Sequence, residues 1–543
     1  MFKKLKKAVA YIPFIVSASL FLLLQLRIYN FGISYRDEGF LVNNAWQINQ
    51  GLIPYKDFFL TTTPLTFYTQ SILFRLFGDF LITDRIFYIV LILVILFCSN
   101  KMFKLSLFSS TVLASSIAIS QIGAGGFAFY NTETLVLIFL SLIIAKRAIS
   151  LKNKLLIFVL GIISGILFLF KQSVGGLIIV GYLISLFLYI GLSYIPYYVT
   201  GIISAILPFL TYFYIKNALN EMFYYTFTFA ATVKNYGFPF VIHRLIPIIM
   251  FFVYGYLSRY ISLRKKIIIP IMGLIAIVVY ILSDPNRSFI FLHSLKSFLF
   301  YFQMLIYCIS VKLLYPNYRL KKIKFLYVYT IISLASFFGY AMSGYSTGIV
   351  ITTFPLIIIL LFYLYESIDK KQLFYKTFLL FSILSTITFI TLFIFKANFK
   401  RNSKIYNIQS IEHSKYLTEI PQFKGIKVTE VEKKELEKVY HYTQENIKPS
   451  DNVFCFPYCP MVNFFTNRNN PTNFSFYFGE TFSNYDQIQV INKLKIAKPV
   501  LIIQKKGSIE PEAEYENLRL NLLVDYINSK TTIFESDNFV IKK

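Results

Sequence analysis

Carboxylate side chains are scarce in the first 396 residues. They are also unevenly distributed among the segments that join successive hydrophobic runs, which we call connections. That part of the chain has ten Asp and Glu residues against 34 Lys and Arg residues. Only Glu366 and Asp369 fall in connections rich in basic residues. The other eight lie in, or border on, the alternate connections: Asp37, Glu38, Asp57, Asp79, Asp84, Glu133, Glu221 and Asp284. Acids gathered on one side indicate a catalytic or cation-binding chamber, with a chance distribution as the alternative.

The first of these connections, residues 30–81, is far longer than its neighbours, and a long ordered connection is usually functional. It contains Tyr-Arg-Asp-Glu-Gly at 35–39. The only Trp of the chain, Trp46, lies there among Phe and Tyr residues, which predicts a helix lying in a membrane interface. Residues 66–78 are apolar but too short to cross a bilayer, so a second helix of this kind is expected.

The composition is that of a polytopic membrane protein. Of 543 residues, 56% are hydrophobic and 15% are charged, and the mean hydropathy is +0.59. An average soluble domain is about 25% charged. Apolar runs long enough to span a bilayer recur along the chain. They predict about thirteen spans, near 8–26, 82–101, 105–121, 132–148, 154–171, 174–191, 193–215, 241–260, 266–283, 291–313, 324–341, 347–365 and 375–395.

The basic residues predict the orientation of these spans. Residues 1–396 carry most of the positive charge, whereas residues 397–543 hold 20 basic and 17 acidic residues. Clusters of Lys and Arg recur at every second connection, as the positive-inside rule requires of cytoplasmic loops. We therefore expect the N-terminus in the cytoplasm and residues 397–543 outside it. A nucleic-acid-binding function is excluded because the polar C-terminal part is nearly neutral.

The C-terminal part has the pattern of a small α/β domain. Helices are predicted over 431–448, 486–495 and 518–528, and strands over 452–456, 500–504, 531–535 and 538–542. The fold class is therefore an α-helical polytopic membrane protein (residues 1–396) with a small extracytoplasmic α/β domain (residues 397–543). Cys455 and Cys459 lie four residues apart in this domain, and whether they form a disulfide is left open by their spacing.

The first connection carries a series of motifs: Asp-Glu-Gly after the first span, then Gly-x-x-Pro-Tyr-x-Asp, then Thr-Pro entering the next helix, at 37–39, 51–57 and 63–64. Lys171-Gln172-Ser173 follows a later helix that contains Gly-x-x-x-Gly. This arrangement resembles the GT-C superfamily of glycosyltransferases, and most of all its group of protein O-mannosyltransferases and lipid A aminoarabinose transferases. The resemblance covers residues 1–395, and similar bacterial proteins also end in a soluble extracytoplasmic domain.

The resemblance implies a polyprenyl-phosphate-linked sugar as donor, and transfer to an acceptor hydroxyl at the outer face. Asp37 takes the place of the catalytic carboxylate that deprotonates the acceptor, a role worth about 10²–10⁴-fold in rate. Glu38 is expected to orient either the acceptor or Asp37. Glu133 is a further candidate acid, although a carboxylate at a helix N-terminus is also favoured by the helix dipole. Asp57 is another.

The leaving group is a lipid phosphate, so the resemblance also implies cations at the outer membrane edge. Lys171 is the first candidate because it ends an otherwise apolar span and breaks the positive-inside pattern. A lysine that merely extends to the membrane surface is the alternative. Further candidates for binding the donor phosphate are Arg36, Lys56, Arg244 and Arg287.

The sequence departs from the pattern of the family at two places. The aminoarabinose branch has an acidic residue before the Lys-Pro of its second helix, where this chain has three Thr residues before Pro64. Many relatives carry a histidine in a late outer loop, where this chain has Ser-Gly-Tyr-Ser at 343–346. No metal ligands are therefore assigned, no cofactor is certain, and a divalent metal is left open.

Two alternatives are considered, a transporter from another class of protein and a ligase that shares the donor type. A transporter or flippase of a lipid-linked sugar would place ionisable residues near the bilayer midplane and show internal repeats, neither of which is evident here. A ligase that moves a whole oligosaccharide would use a pyrophosphate-linked donor. The expected location is the inner cell membrane. The expected partners are membrane lipids, the donor and an acceptor that is a glycan, a lipid or a protein.

Overall fold

The computed structural model describes most of the first half of the chain and most of its C-terminal part. The described residues are 11–103, 126–229, 303, 307, 310, 324–342, 353, 355–361, 399–401, 404–406, 415–475, 477, 482–504, 520–536 and 538–543. Of the predicted spans, those near 105–121, 241–260, 266–283 and 375–395 lie outside the described residues. Those near 291–313 and 347–365 lie largely outside them.

The described membrane part consists of helices. Their bounds are α1 (Ile12–Ile28), α2 (Asp37–Asn49), α3 (Leu65–Phe77), α4 (Leu81–Phe103), α5 (Tyr130–Leu151), α6 (Lys154–Phe170), α7 (Gln172–Tyr189), α8 (Ile195–Ile215), α9 (Leu219–Phe223) and α10 (Lys324–Ala341), with a π-helix at Tyr224–Phe229. Among the described residues, four segments are long and apolar enough to cross a membrane: Leu81–Met102, Tyr130–Leu151, Gln172–Tyr189 and Leu192–Ile215. These four segments confirm the predicted spans 82–101, 132–148, 174–191 and 193–215 to within a few residues. At the predicted spans 8–26, 154–171 and 324–341 the helices α1, α6 and α10 are apolar over shorter lengths.

The long helices pack through small residues and a common apolar core. A Cβ atom at Gly161 of α6 would overlap the carbonyl oxygen of Tyr198 on α8, and Gly201 meets α6 in the same way. Such small residues let the backbones of two membrane helices approach closely. Residues of α4, α5, α7 and α10, among them Ile92, Leu135 and Ile178, form one buried cluster. The bundle thereby brings the ends of its helices into fixed positions.

The C-terminal unit is α/β, as the sequence predicts. Its strands are β1 (Phe399–Arg401), β2 (Lys404–Tyr406), β3 (Tyr416–Leu417), β4 (Lys427–Val428), β5 (Val453–Phe456), β6 (Val500–Gln504), β7 (Thr532–Glu535) and β8 (Phe539–Lys542). Its helices are α11 (Glu430–Asn446), α12 (Pro460–Thr466), α13 (Asn484–Ala497) and α14 (Asn521–Asn528). The four-stranded sheet has the order β5-β6-β8-β7, in which β5 and β6 are parallel and the other pairs are antiparallel.

Two helices of this unit begin with local signals that the sequence contains. Thr429 and Glu432 form a capping box at the start of α11, and Ser483 and Asp486 form one at the start of α13. In each box the two side chains satisfy backbone N–H groups that the first turn of a helix leaves without partners. The predicted helices 431–448 and 486–495 are therefore confirmed with boundaries close to those expected.

The C-terminal unit shares a hydrophobic core with the first long connection. Trp46, Val42 and Ile33 of that connection lie in one buried cluster with residues of α11, α12 and the sheet, including Val462 and Ile541. Trp46 is only 3% exposed. The helix predicted around Trp46 is present as α2, but its indole ring lies in this protein core.

Candidate active site

The candidate site lies where several helix ends meet at one end of the bundle. The hydroxyl of Thr66 near the start of α3 donates to Glu133 near the start of α5. The ammonium of Lys171, between α6 and α7, donates to Asn131 of α5 at 2.7 Å. The side chain of Lys56 reaches the carbonyl of Lys216 after α8 at 3.3 Å. The sequence places all these positions on one side of the bundle, and the contacts show that they share one end of it.

Asp37 opens α2, and its side chain is exposed, whereas Glu38 is fully buried. Glu38 forms a two-pronged ion pair with Arg85 of α4, in which Nε donates at 2.7 Å and Nη2 at 2.9 Å. Arg85 is itself 0% exposed. Such a fork-to-carboxylate pair fixes both distance and orientation. Since Asp37 is the residue before Glu38, the pair also fixes the turn that presents Asp37.

Arg85 additionally binds the backbone of the chain that leads into α2. Its Nη1 donates to the carbonyl oxygens of Tyr29 and Phe31, and its Nη2 donates to that of Gly32 at 2.7 Å. Glu38 in turn accepts the backbone N–H of Ser34 at 3.1 Å. One buried arginine thus holds both the entry to the turn and the first turn of the helix.

Two further buried carboxyl groups, those of Asp84 and Glu133, lie near the Glu38–Arg85 ion pair. Asp84 precedes Arg85 on α4, is 0% exposed and lies close enough to Glu38 and Glu133 for their charges to interact. Glu133 is 5% exposed and accepts the hydroxyl hydrogen of Thr66. Like charges brought together in a low-dielectric interior repel strongly. Three buried carboxyl groups, those of Glu38, Asp84 and Glu133, therefore lie together with Arg85 behind Asp37.

Lys171 is enclosed rather than extended to the surface. It is 4% exposed, and its ammonium lies 4.5 Å from the ring centroid of Tyr130 and 4.9 Å from that of Tyr340. The hydroxyl of Tyr340 forms a hydrogen bond with Thr134 at 2.6 Å, which fixes its ring. Aromatic faces stabilise a desolvated cation. The lysine that ends the apolar span is thus built into the bundle, at the junction of α5, α7 and α10.

Gln172 joins three segments next to Lys171. Its Oε1 accepts the backbone N–H of Thr63 at 3.2 Å, and its Nε2 donates to the carbonyl oxygens of Thr61 and Thr226 at 3.1 and 3.2 Å. The hydroxyl of Thr63 donates to the carbonyl of Phe168 at 2.8 Å. The three-threonine stretch that departs from the family pattern therefore serves to attach the first connection to α6 and α7.

The Pro-Tyr-x-Asp motif forms a tight turn. The backbone N–H of Ile53 donates to Asp57 Oδ2 at 2.7 Å, and Tyr55 adopts a left-handed φ of 70°. Tyr55 is 1% exposed against Phe213 of α8, and burial raises the pKa of its hydroxyl well above the ordinary value. The hydroxyl donates to the carbonyl of Thr62 at 2.7 Å. Asp57 is thus placed as a turn-forming residue.

Of the remaining predicted cations, the structure describes Arg36 and Lys56. Arg36 is half-buried at the start of α2, and its guanidinium carbon lies 4.9 Å from the ring centroid of Tyr458 in the C-terminal unit. Lys56 is exposed on the turn. Arg244 and Arg287 lie outside the described residues. Arg36 and Lys171 are therefore the predicted cations that the structure builds into defined surroundings.

Amide side chains line the interior beside these charges. Asn43 and Asn44 of α2 and Gln70 of α3 are buried, and within the described part of the chain none of their amide atoms has a hydrogen-bond partner. Phe40 and Phe67 contact each other across the two helices, and Asn44 and Gln70 follow them by one turn. Buried polar groups are normally satisfied, so these amides are suited to bind water or ligand hydroxyl groups.

One acidic group of the first connection has a shifted pKa. Burial raises the pKa of Asp79 above its ordinary value, and a hydrogen bond from the Asn49 amide at 3.5 Å offsets part of the effect.

With regard to metals, the described ranges contain no group of three or more His, Cys, Asp or Glu side chains placed to hold an ion.

Several residues of the site are absent from the sequence prediction. Arg85 is the most important, and its signal was an ionisable residue at the border of an apolar span, where such residues usually have a function. Asn131, Thr66 and Tyr458 carry no motif of their own, and Gln172 was noted only as the neighbour of Lys171 in its motif. Their partners are far away in the chain, so only the folded structure brings them to the site.

Comparison with solved structures gives a match over nearly the full length of the chain. The chain is similar to the crystal structure of ArnT from Cupriavidus metallidurans bound to undecaprenyl phosphate, with 10% sequence identity, 97% of each chain covered and a TM-score of 0.45. A likeness at this level adds no information about individual residues. No protein-family model matches the sequence, and no curated protein matches it.

Proposed function

We propose that the protein is a membrane glycosyltransferase of the GT-C type, which moves a sugar from a polyprenyl-phosphate donor to an acceptor hydroxyl. The proposal is carried by the placement of the exposed carboxylate of Asp37 and the enclosed ammonium of Lys171. Asp37 precedes Glu38, which lies with Glu133 within interaction distance of Asp84, and Lys171 donates to Asn131, two residues before Glu133. Transfer from a lipid phosphate needs a base for the incoming hydroxyl and a cation for the departing phosphate.

In the proposed reaction Asp37 is the general base. The acceptor oxygen forms a bond to the anomeric carbon, its proton passes to Asp37, and the bond between that carbon and the phosphate oxygen breaks. The phosphate leaves with the bonding electron pair. Asp37 is the first residue of α2, where the helix dipole favours the ionised carboxylate that a base requires. Its exposure makes it accessible to an acceptor.

Glu38 is proposed to position Asp37 rather than to contact the acceptor. Its two oxygens are engaged by Arg85 and by the backbone of Ser34 inside the protein. Glu133, also buried, is proposed to line this interior together with Asp84. Asp57 is proposed to support the tight turn of the Pro-Tyr-x-Asp motif, within the first connection.

Lys171 is proposed to bind the donor phosphate, with Arg36 as a second cation. The ammonium lies in a low-dielectric place between aromatic rings, where attraction to an anion is stronger than in water. Lys56 is exposed and is a weaker candidate. The buried amides of Asn43, Asn44 and Gln70 suit the hydroxyl groups of a sugar, since an amide both donates and accepts hydrogen bonds.

The site is proposed to face the extracytoplasmic side of the inner membrane. The distribution of Lys and Arg supports this orientation. A second, independent support is the disulfide between Cys455 and Cys459 in the C-terminal unit, because disulfides persist in oxidising compartments and are rare in the cytoplasm. This unit shares its core with the connection that carries Asp37, so both lie on the same side.

Purified protein in lipid vesicles, supplied with a panel of polyprenyl-phosphate sugars, tests the proposal. We expect transfer of sugar to an added acceptor from at least one donor, and a raised donor KM in the Lys171→Met variant. Movement of the lipid-linked sugar across the vesicle membrane without transfer would instead show the transporter alternative. Transfer that requires a pyrophosphate-linked oligosaccharide would show the ligase alternative.

A further inference from the structure

The C-terminal unit contacts the turn that presents Asp37 at several points. A Cβ atom at Gly39 would lie 2.8 Å from the backbone nitrogen of Met461 on α12, so only glycine fits this approach of two helices. The N–H of Gly32 donates to the carbonyl of Lys427 at 2.8 Å. The rings of Tyr35 and Phe539 are 6.0 Å apart. The segment on both sides of Asp37 is therefore held by residues about 400 to 500 positions away in the chain.

One of these contacts reaches the residue adjacent to Asp37. The ring of Tyr458 lies over the guanidinium of Arg36, with 4.9 Å between the guanidinium carbon and the ring centroid. Tyr458 is 1% exposed and belongs to the five-residue loop that the Cys455–Cys459 disulfide closes. The Cα atoms of the two cysteines are 5.7 Å apart. The loop, anchored by β5 at one end and α12 at the other, fixes the place of the ring.

A guanidinium stacked on an aromatic ring keeps its N–H groups directed outward in its own plane. In that state it can still bind an oxyanion edge-on, and it loses less rotational freedom on binding because its plane is already fixed. Arg36 lies one residue before the proposed base, so an anion that it binds lies next to the reacting hydroxyl. Lysine could not replace it, because an ammonium has no plane to orient.

We propose that Tyr458 is a positioning residue, which orients Arg36 so that its guanidinium binds the phosphate of the lipid-linked donor beside Asp37. This inference rests on the proposed function and deepens it, because the active site is then completed by the C-terminal unit. The disulfide loop serves the site by holding the tyrosine ring. Reduction of the disulfide is expected to loosen the loop and weaken donor binding.

Two substitutions of Tyr458 distinguish the contribution of its aromatic ring from that of its hydroxyl group. Tyr458→Leu removes the aromatic face but keeps apolar volume, and we expect it to raise the donor KM about 3- to 30-fold, as the range of cation–π strengths implies. The kcat should change far less, and the acceptor KM should stay the same. Tyr458→Phe keeps the face and should behave like the wild type.

Phe464→Leu is the matched control. Phe464 is also a buried aromatic residue of the C-terminal unit, and it stacks on Phe74 of the first connection with ring centroids 5.8 Å apart. The substitution Phe464→Leu therefore weakens the interface between the C-terminal unit and the first connection, but it leaves the surroundings of Arg36 unchanged. We expect a loss of thermal stability in this variant and an unchanged donor KM in its folded fraction.

A double-mutant comparison tests whether Tyr458 acts through Arg36. In an Arg36→Gln background, Tyr458→Leu should raise the donor KM no further. If the leucine variant does not fold, the wild type and Arg36→Gln are compared before and after mild reduction. Reduction should raise the donor KM of the wild type alone. Independent effects of the two residues, or equal effects of Tyr458→Leu and Phe464→Leu, would overturn the inference.

Binding of undecaprenyl phosphate to protein in detergent micelles provides a readout that needs no transfer. Weaker binding in Tyr458→Leu and normal binding in Tyr458→Phe support the positioning role even if no sugar donor is accepted. Equal binding in all variants, with active wild-type enzyme, would contradict the inference and leave the proposed function standing. A rise in acceptor KM alone would also contradict it, since Arg36 would then bind the acceptor.

Discussion

Replacing Arg85 by Met leaves the Glu38 carboxylate inside the protein without its cation. Both side chains are 0% exposed and are joined by two hydrogen bonds. Removing one partner of a buried ion pair costs about 3 to 5 kcal/mol, because the remaining charge is buried without compensation. The carbonyl groups of Tyr29, Phe31 and Gly32 also lose their donor. The loss should therefore fall toward the upper part of that range.

The first connection and the C-terminal unit share a core, so we expect them to unfold together. For a cooperative unit of this size, 1 kcal/mol corresponds to about 2 to 4 °C. Arg85→Met should then lower the Tm of that unit by roughly 6 to 20 °C. The measurement is thermal denaturation in detergent micelles, followed by the intrinsic fluorescence of Trp46, which lies in the shared core and is the only tryptophan.

Arg75→Met is the matched control. Arg75 is exposed on α3, and its Nε donates to Asn49 at 2.8 Å, so its loss should cost about 1 kcal/mol or less. The double variant Glu38→Gln with Arg85→Met removes the stranded charge and should be more stable than Arg85→Met alone. Equal Tm values for Arg85→Met and Arg75→Met would refute the reasoning. A double variant less stable than both single variants would refute it as well.

Two further predictions concern the attachment of the first connection. Gly39→Ala places a methyl group against the backbone of Met461 and should destabilise the shared core by about 1 to 3 kcal/mol, a loss that the same Trp46 melting curve measures. Gln172→Leu removes three hydrogen bonds to backbone groups beside Lys171, and we expect a lower kcat with a stable fold; a wild-type kcat, or a Tm lowered as far as in Gly39→Ala, would contradict this.

Much of the fold could be predicted because its signals are local. Runs of about twenty apolar residues specify the spans, and alternation of strands and helices between 453 and 542 specifies the α/β unit. Helix α12 was missed since all seven of its residues are buried and show no periodicity. Trp46 was assigned to a membrane interface because an aromatic residue in an apolar sequence looks the same whether lipid or protein covers it.

The site was predictable only in part, since its contacts are not local. Asp37, Glu38 and Lys171 stand out by charge and position in the sequence. The partner of Glu38 is 47 residues away, that of Lys171 is 40 residues away, and Tyr458 is farther still from Arg36. No spacing rule relates such residues, so the burial of Glu38 and the enclosure of Lys171 required the structure. The chemical role of Asp37 remains the central proposal.

The most direct measurement of that proposal is the single-turnover rate of sugar transfer by purified Asp37→Asn protein, at saturating donor and acceptor. The substitution keeps the shape of the side chain and removes the base, and we predict a rate lowered by about 100-fold or more with unchanged binding of undecaprenyl phosphate. Glu221→Gln, an exposed carboxylate variant on α9 in the same part of the bundle, should transfer at the wild-type rate. Transfer by Asp37→Asn at the wild-type rate would contradict the assignment of Asp37 as the base.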